Sequence, residues 1–283
     1  MRPHLPLLLT ALLTLPALGA GCLGAATSPV EVEAYLPLND AQPGRATQFA
    51  FFVHSTSVFK ETFDISVSGL PNNWTFSPET ANLTLNGGAT TSLIVAITPA
   101  ADAAYGPQNV EVRVGETRAR ITLNVKDLGT QPLRAGIGTQ LHYVLWWDNG
   151  TLASTNDPAA LERRLIGPPV LDDDNTTSWP PLKVYVGGQR GQDPPEPYSS
   201  TGYVPVIKGF DARLQHAGES QTGAGMIAGE TLAVRVAPGD GYTNAGNEEH
   251  ALYGDALNFL IRIVSVDELT PAPCTLPDVC PPT

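Results

Sequence analysis

Apolar and polar residues alternate with a period of two through much of the first half of the chain. The pattern is plain in Phe49–Val53, Phe63–Val67, Ser92–Ile97, Val110–Val114 and Arg120–Val125. Successive side chains of a strand point to opposite faces, so each of these segments reads as a half-buried strand. Turn residues fall between them, at Pro43-Gly44, Gly69-Leu70-Pro71-Asn72, Asn86-Gly87-Gly88 and Tyr105-Gly106-Pro107. Strand and turn follow one another from Val30 to Lys126, which predicts an antiparallel β-sandwich over residues 30–127.

Asp127–Pro132 interrupts the alternation, and a linker is predicted over 128–133. A second domain follows over 134–269. Its strand-like segments are Thr139–Leu145, Leu182–Gly187, a run that ends before Pro238, and Ala256–Ile263. Asp148-Asn149-Gly150 reads as a hairpin turn, because Asn-Gly tolerates positive φ. Ser154–Pro181 and Gly188–Tyr203, rich in Pro, Asp and Gly, read as surface excursions, and the first carries Asp172–Asp174.

The 283-residue chain is long enough for two domains with cores of their own, and its net charge of -12 argues against nucleic acid as a partner. The N-terminus reads as a signal peptide over 1–22: Arg2 and His4 precede a short apolar run from Leu5 to Ala20. Leu18-Gly19-Ala20-Gly21-Cys22 resembles a lipoprotein processing site, with Cys22 as the lipidated residue; cleavage after a small residue such as Ala26 is the alternative. Residues 23–29 form a tether. The other two cysteines, Cys274 and Cys280, lie in a Pro-rich tail over 270–283, where they can form a disulfide in an oxidising compartment. Sequons at Asn73, Asn82, Asn149 and Asn175 are compatible with an external location, on the outer face of the cytoplasmic membrane or secreted.

Two family resemblances sharpen this outline. Phe63-x-Ile65-x-Val67-x-Gly69-Leu70-Pro71-x-x-Trp74, with Leu85–Gly88 and Val95–Pro99, resembles the immunoglobulin-like modules attached to alpha-galactosidases and common in archaeal surface proteins. Pro205-Val206-Ile207-Lys208-Gly209-Phe210, Gly225-Met226-Ile227-Ala228-Gly229-Glu230, Pro238 followed by Tyr242, and Ala256–Ile263 resemble, in order, the motifs of FKBP-type prolyl isomerases. Thr139–Leu145 and Leu182–Gly187 resemble two further strands of that family. The fold class implied is mainly β: an immunoglobulin-like sandwich followed by an α+β domain whose curled antiparallel sheet wraps a short helix beginning near Phe210.

The resemblance implies isomerisation of X-Pro bonds in exported proteins that are still unfolded or partly folded, without metal or cofactor. Tyr143, Val206, Ile207, Tyr242 and Phe259 fall on pocket positions, and Phe210 on the floor. The Ile207 N–H and the Tyr242 hydroxyl fall where the family donates to substrate carbonyls, and Leu182 replaces a wall aromatic. The family's Phe-Asp pair falls on Ala153-Ser154, which removes an aromatic wall and a carboxylate. Between Tyr242 and Phe259 there is no room for an inserted chaperone domain, so extra substrate holding would come from the sandwich. A catalytically weak or inactive proline-binding module and a structural surface spacer are the alternatives.

Other chemistries lack their motifs. Gly218-Glu219-Ser220-Gln221-Thr222 misses the last Gly of a nucleophile elbow. Gly223-x-Gly225-x-x-x-Gly229 has the wrong spacing for a dinucleotide, and Glu248-Glu249-His250 lacks the second His of a zinc protease.

Overall fold

The computed structural model describes residues 28–161, 163–171, 180–188, 191–215, 225–245 and 250–269. Cys22, Cys274, Cys280, Asn175, the Asp172–Asp174 run and Gly218–Thr222 lie outside them.

In chain order the first strands are β1 (Val30–Ala34), β2 (Leu38–Ala41), β3 (Thr47–Ser55), β4 (Glu61–Ser68), β5 (Thr75–Pro78), β6 (Asn82–Leu85), β7 (Thr90–Thr98), β8 (Gly106–Val114) and β9 (Thr117–Val125). They form two sheets, ordered β1-β3-β7-β5 and β2-β9-β8-β4-β6. Pairing is antiparallel except between β2 and β9. Phe49, Phe51 and Val53 of β3 and Leu93, Val95 and Ile97 of β7 face Val110, Val112, Val114, Ile121 and Leu123 of the opposite sheet, which makes an immunoglobulin-like sandwich core.

The second half contains β10 (Gly138–Trp147), β11 (Leu152–Thr155), α1 (Pro158–Leu161), β12 (Leu182–Tyr185), α2 (Lys208–Gln215), β13 (Thr231–Val236) and β14 (Leu257–Asp267). The sheet order is β11-β10-β14-β13, and β12 also pairs with β10. Asp148-Asn149-Gly150 makes the predicted hairpin: Trp147 and Thr151 pair across it, and Gly150 takes φ +82°. The sheet curls around α2, an arrangement that resembles the FKBP-like α+β fold. Phe210 and Leu214, one helical turn apart, pack on Leu141, Leu145, Leu232, Val236, Phe259 and Ile261. Gly209 permits this approach, since a Cβ there would lie 2.7 Å from a methyl of Val236.

Both faces of this second sheet are buried. Leu141, Leu145, Leu257, Phe259, Ile261 and Ile263 face α2, while Val144, Trp146, Ala233 and Leu260 face the sandwich. There they meet Tyr35, Leu36, Ala50 and Phe52, so the outer face of β3 is covered as well. Tyr35 stacks on Trp146 with ring centroids 4.6 Å apart and planes 21° from parallel. The Tyr35 hydroxyl donates to the Gly150 carbonyl at 2.6 Å, and burial pushes its pKa up, so it stays a donor. Gln48 accepts the Ala233 N–H at 2.7 Å, and Arg45 pairs with Glu230 at 3.1 Å. Three sheets are thus stacked in one body.

The two long connections differ from the surface excursions expected of them. Ala160 and Ile166 of the first are buried in the interdomain core, and the Glu33 carboxylate accepts the N–H groups of Arg164 (3.0 Å) and Leu165 (2.6 Å). Tyr198 and Tyr203 of the second are buried too, and the Tyr203 hydroxyl donates to Asp267 at 2.5 Å. Polar composition hides such segments, because a few apolar anchors suffice to dock them.

Trp146→Ala should remove about 3–5 kcal/mol of stability, the usual cost of truncating a large buried aromatic. Trp146→Phe should cost much less, since the indole N–H finds no acceptor among the described residues. Urea unfolding followed by circular dichroism should show one transition that moves as a whole. A sandwich transition left in place by Trp146→Ala would contradict the shared core.

Candidate functional site

The open end of the second core holds a cavity of about 340 Å³, built by side chains from well-separated parts of the chain. Strand β10 contributes Tyr143 and Leu145, and β14 contributes Phe259; residues of one parity on both strands look toward α2. Leu182 opens β12. Pro205, Val206 and Ile207 form the lead-in to α2, where proline disfavours helix in the residue before it and thereby delays the first turn. Phe210 comes from α2, and Tyr242 from the turn that follows β13.

Phe210 and Phe259 are buried and meet edge to face, with centroids 5.0 Å apart and planes at 90°. Tyr143 approaches the Phe259 ring at 6.4 Å and 60°. Tyr143, Leu182, Val206 and Tyr242 are only partly buried and form the walls. The Ile207 carbonyl accepts the Asp211 N–H at 3.0 Å as the first helical bond. Its own N–H, just outside the helix, meets no acceptor among the described residues.

Strand β11 carries a bulge that shapes one wall of the cavity. The register slips between Leu145 and Trp146, so Leu145 pairs with Ser154, Trp146 pairs with Leu152, and Ala153 is left over as a bulge. The bulge puts buried Ala153 into the core and Ser154 on the cavity wall. The Ser154 hydroxyl lies 3.0 Å from the Tyr143 hydroxyl, a neutral hydrogen bond at the cavity rim. Beside Ala153, Leu171 donates its N–H to the Ala153 carbonyl at 2.9 Å and lines the cavity. An aliphatic side chain from the first long connection therefore supplies part of the wall.

Tyr143, Ser154, Leu182, Val206, Ile207, Phe210, Tyr242 and Phe259, the residues singled out in the sequence, all line this one cavity. Sequence reasoning missed Leu145, Leu171, Pro205, His250 and Leu252. His250 stacks on Tyr242 with centroids 4.0 Å apart and planes 19° from parallel. Its Nδ1 accepts the Leu252 N–H at 3.1 Å, so the neutral ring carries its proton on Nε2. The available signal was position: His250 and Leu252 lie in the short segment between two chosen residues, Tyr242 and Phe259. Of the sequon asparagines, Asn73, Asn82 and Asn149 are exposed.

A family model for the NPCBM-associated, NEW3 domain of alpha-galactosidase matches residues 41–117. Residues 41–117, within the immunoglobulin-like β-sandwich of the N-terminal half, thus resemble the NPCBM-associated domain, and a small domain of curled sheet and helix follows. No curated protein matches the chain. Among solved structures, domains 4 and 5 of the S-layer protein SbsC are similar at 14% identity over 34% of this chain, with TM-score 0.27. The match spans 51% of that chain, so about half of its length. A FixG-related protein from Vibrio parahaemolyticus matches at 11% identity over 36% of this chain and 100% of its own, with TM-score 0.31. The C. elegans MSP family member WR4 matches at 11% over 35% and 100%, with TM-score 0.26. Likenesses this distant carry no functional weight.

Phe210→Ala should cost about 3–5 kcal/mol in urea unfolding, since it removes the buried partner of Phe259. Ser154→Ala should cost only about 0.5–1.5 kcal/mol, the net contribution of one hydrogen bond. A Phe210→Ala protein as stable as its parent would show that the ring is not part of the core.

Proposed function

We propose that the second domain is an FKBP-type peptidyl-prolyl cis–trans isomerase acting on exported proteins. The observation that carries this reading is a cavity, apolar at its base and polar at its rim, on which the positions that resemble the family's pocket converge, with Phe210 and Phe259 buried at its base. Rotation about an X-Pro bond loses amide resonance against a barrier of about 18–20 kcal/mol. The twisted amide is less dipolar than the planar one, so an apolar, water-poor cavity favours it over the ground state. The Ile207 N–H and the Tyr242 hydroxyl would hold the flanking substrate carbonyls. The proline ring would rest on Phe210 and Phe259, between Val206 and Leu182. No nucleophile, metal or cofactor enters the step.

Ser154 favours a second reading, in which the domain binds prolyl segments but turns them over weakly. A serine hydroxyl replaces the hydrogen bond to Tyr143 without replacing the charge. The cavity supports either reading over that of a spacer. Export belongs to the same proposal: Cys22 acylated at the outer face of the cytoplasmic membrane, and Cys274 joined to Cys280.

A soluble chain without residues 1–22 should accelerate isomerisation of a Leu-Pro or Phe-Pro peptide. Both domains must be kept, because removing the sandwich would expose Val144, Trp146 and Leu260. Tyr242→Phe should lower turnover severalfold, matching the roughly 0.5–1.5 kcal/mol of one donor, with unfolding little changed. Ser154→Asp should raise the rate, while Ala153→Phe should destabilise by about 1–3 kcal/mol, because the bulge residue is already packed. A folded protein with only the uncatalysed rate would favour the binding-module reading.

Intact-mass measurement of protein extracted from its native membrane should show an acylated Cys22. Reduction should then add two hydrogens, from the tail pair. Free thiols at Cys274 and Cys280 before reduction would rule out the disulfide.

A further inference from the structure

The connection between β3 and β4 ends in two adjacent large apolar side chains that the fold leaves in solvent: Val58 is 83% exposed and Phe59 73%. The backbone beneath them is held firmly. The Phe59 N–H donates to the Ser57 hydroxyl oxygen at 3.0 Å, and the Ser57 hydroxyl donates to Glu61 at 2.5 Å. Gly88 donates its N–H to the Ser57 carbonyl at 3.1 Å. The neighbouring turn passes so close that a Cβ on Gly87 would lie 2.5 Å from the Val58 carbonyl carbon. The two side chains therefore project from a supported tip, and folding the sandwich gives them nothing to pack on.

The tip lies beside the point where the chain enters the fold. Thr56 donates its N–H to the Pro29 carbonyl at 2.9 Å and its hydroxyl to the Ser28 carbonyl at 3.1 Å. Thr117 binds the same segment, through the Ser28 hydroxyl at 2.5 Å and the Val30 carbonyl at 2.6 Å. Six residues of chain from Cys22 to Ser28 reach about 20 Å at most, at ~3.3–3.6 Å per residue. A lipid on Cys22 would thus hold the tip close to the bilayer surface.

We propose that Val58 and Phe59 insert into the lipid surface as a second, non-covalent membrane contact beside the anchor. This rests on the proposal that Cys22 is acylated. Apolar side chains that enter the headgroup–acyl boundary add to the hold of a lipid anchor and fix the orientation of the domain on the surface. A basic patch could do the same, but a chain of net charge -12 is repelled by anionic lipid. An apolar tip avoids the repulsion, and exposed Lys60 beside it can meet a headgroup phosphate.

The test attaches residues 22–283 through Cys22 to maleimide-bearing phosphatidylcholine vesicles, with Cys274→Ser and Cys280→Ser to direct the coupling. Phe59→Trp adds a reporter whose emission is read as the difference from the coupled parent. Lipid brominated on the upper acyl chain should quench the added emission by roughly half or more, as expected for a side chain at the headgroup–acyl boundary. Adding Val58→Asp to the Phe59→Trp protein should restore the emission. Added emission that brominated lipid leaves unchanged overturns the contact. So does loss of soluble self-association in Val58→Asp alone without quenching in vesicles, which would assign the tip to a second copy of the chain. Chemical coupling places the chain at the surface whether or not the cell acylates Cys22. An unmodified Cys22 in native membranes with a quenched reporter would refute the anchor and keep the contact; the reverse pair would do the opposite.

Discussion

The stack of Tyr35 on Trp146 marks the constraint on which the rest of the molecule depends: the second sheet has to be covered on both faces. Strand β10 reads Leu141-His142-Tyr143-Val144-Leu145-Trp146-Trp147, and both of its parities are rich in apolar residues. One parity is covered by α2 and the other by the outer face of the sandwich. Water on either face would leave a contiguous apolar surface of the kind that soluble proteins rarely expose. The sandwich is therefore part of the second domain's core, and β10 and β14, which position Tyr143 and Phe259, are held from behind by it.

Glu230 shows how local and interdomain order are coupled. Its carboxylate accepts the Ile227 N–H at 3.0 Å, which closes the Gly225–Glu230 turn on itself. The same carboxylate pairs with Arg45 of the sandwich at 3.1 Å. Gly225 is required there for a different reason, since a Cβ would come within 1.9 Å of the Leu133 carbonyl oxygen. A buried carboxylate without partners is expensive, so this one fixes both the turn and the neighbour that neutralises it. At the other end of the sheet, Asp148 accepts hydrogen bonds from Arg235 and Asn258, whose effect holds its carboxyl below the usual range. That arrangement ties the β10–β11 hairpin to β13 and β14, and with it the bulge that sets Ala153 and Ser154.

The cavity is apolar at its base and polar at its rim, and the order in which its walls arise follows from this. Phe210 and Phe259 are fixed by the core, whereas Tyr143, Ser154, Tyr242 and His250 are placed by hydrogen bonds and ring stacking at the rim. Core positions tolerate little change in volume, while rim positions can exchange a carboxylate for a hydroxyl and keep the fold. The Ser154 hydroxyl can thus set the chemistry of the rim without disturbing the sheet that carries it.

The sequence by itself determined the strands with clear alternation and the Asn-Gly hairpin, and through resemblance to family motifs it pointed to the helix near Phe210 and to part of the cavity lining. Each of these is encoded in spacing along one short segment, either as a period of two or as a local motif. The burial of Tyr35 against Trp146, the pairing of Arg45 with Glu230 and the docking of Ala160, Ile166, Tyr198 and Tyr203 were decided only by the tertiary structure. So were the bulge at Ala153, the wall contributed by Leu171 and the stacking of His250 on Tyr242. These contacts join residues far apart in sequence or sitting in connections of polar composition, where no period marks the face that will be buried. A strand with apolar residues on both faces announces that it needs two covers, but which surface supplies the second is settled only when the sheets meet.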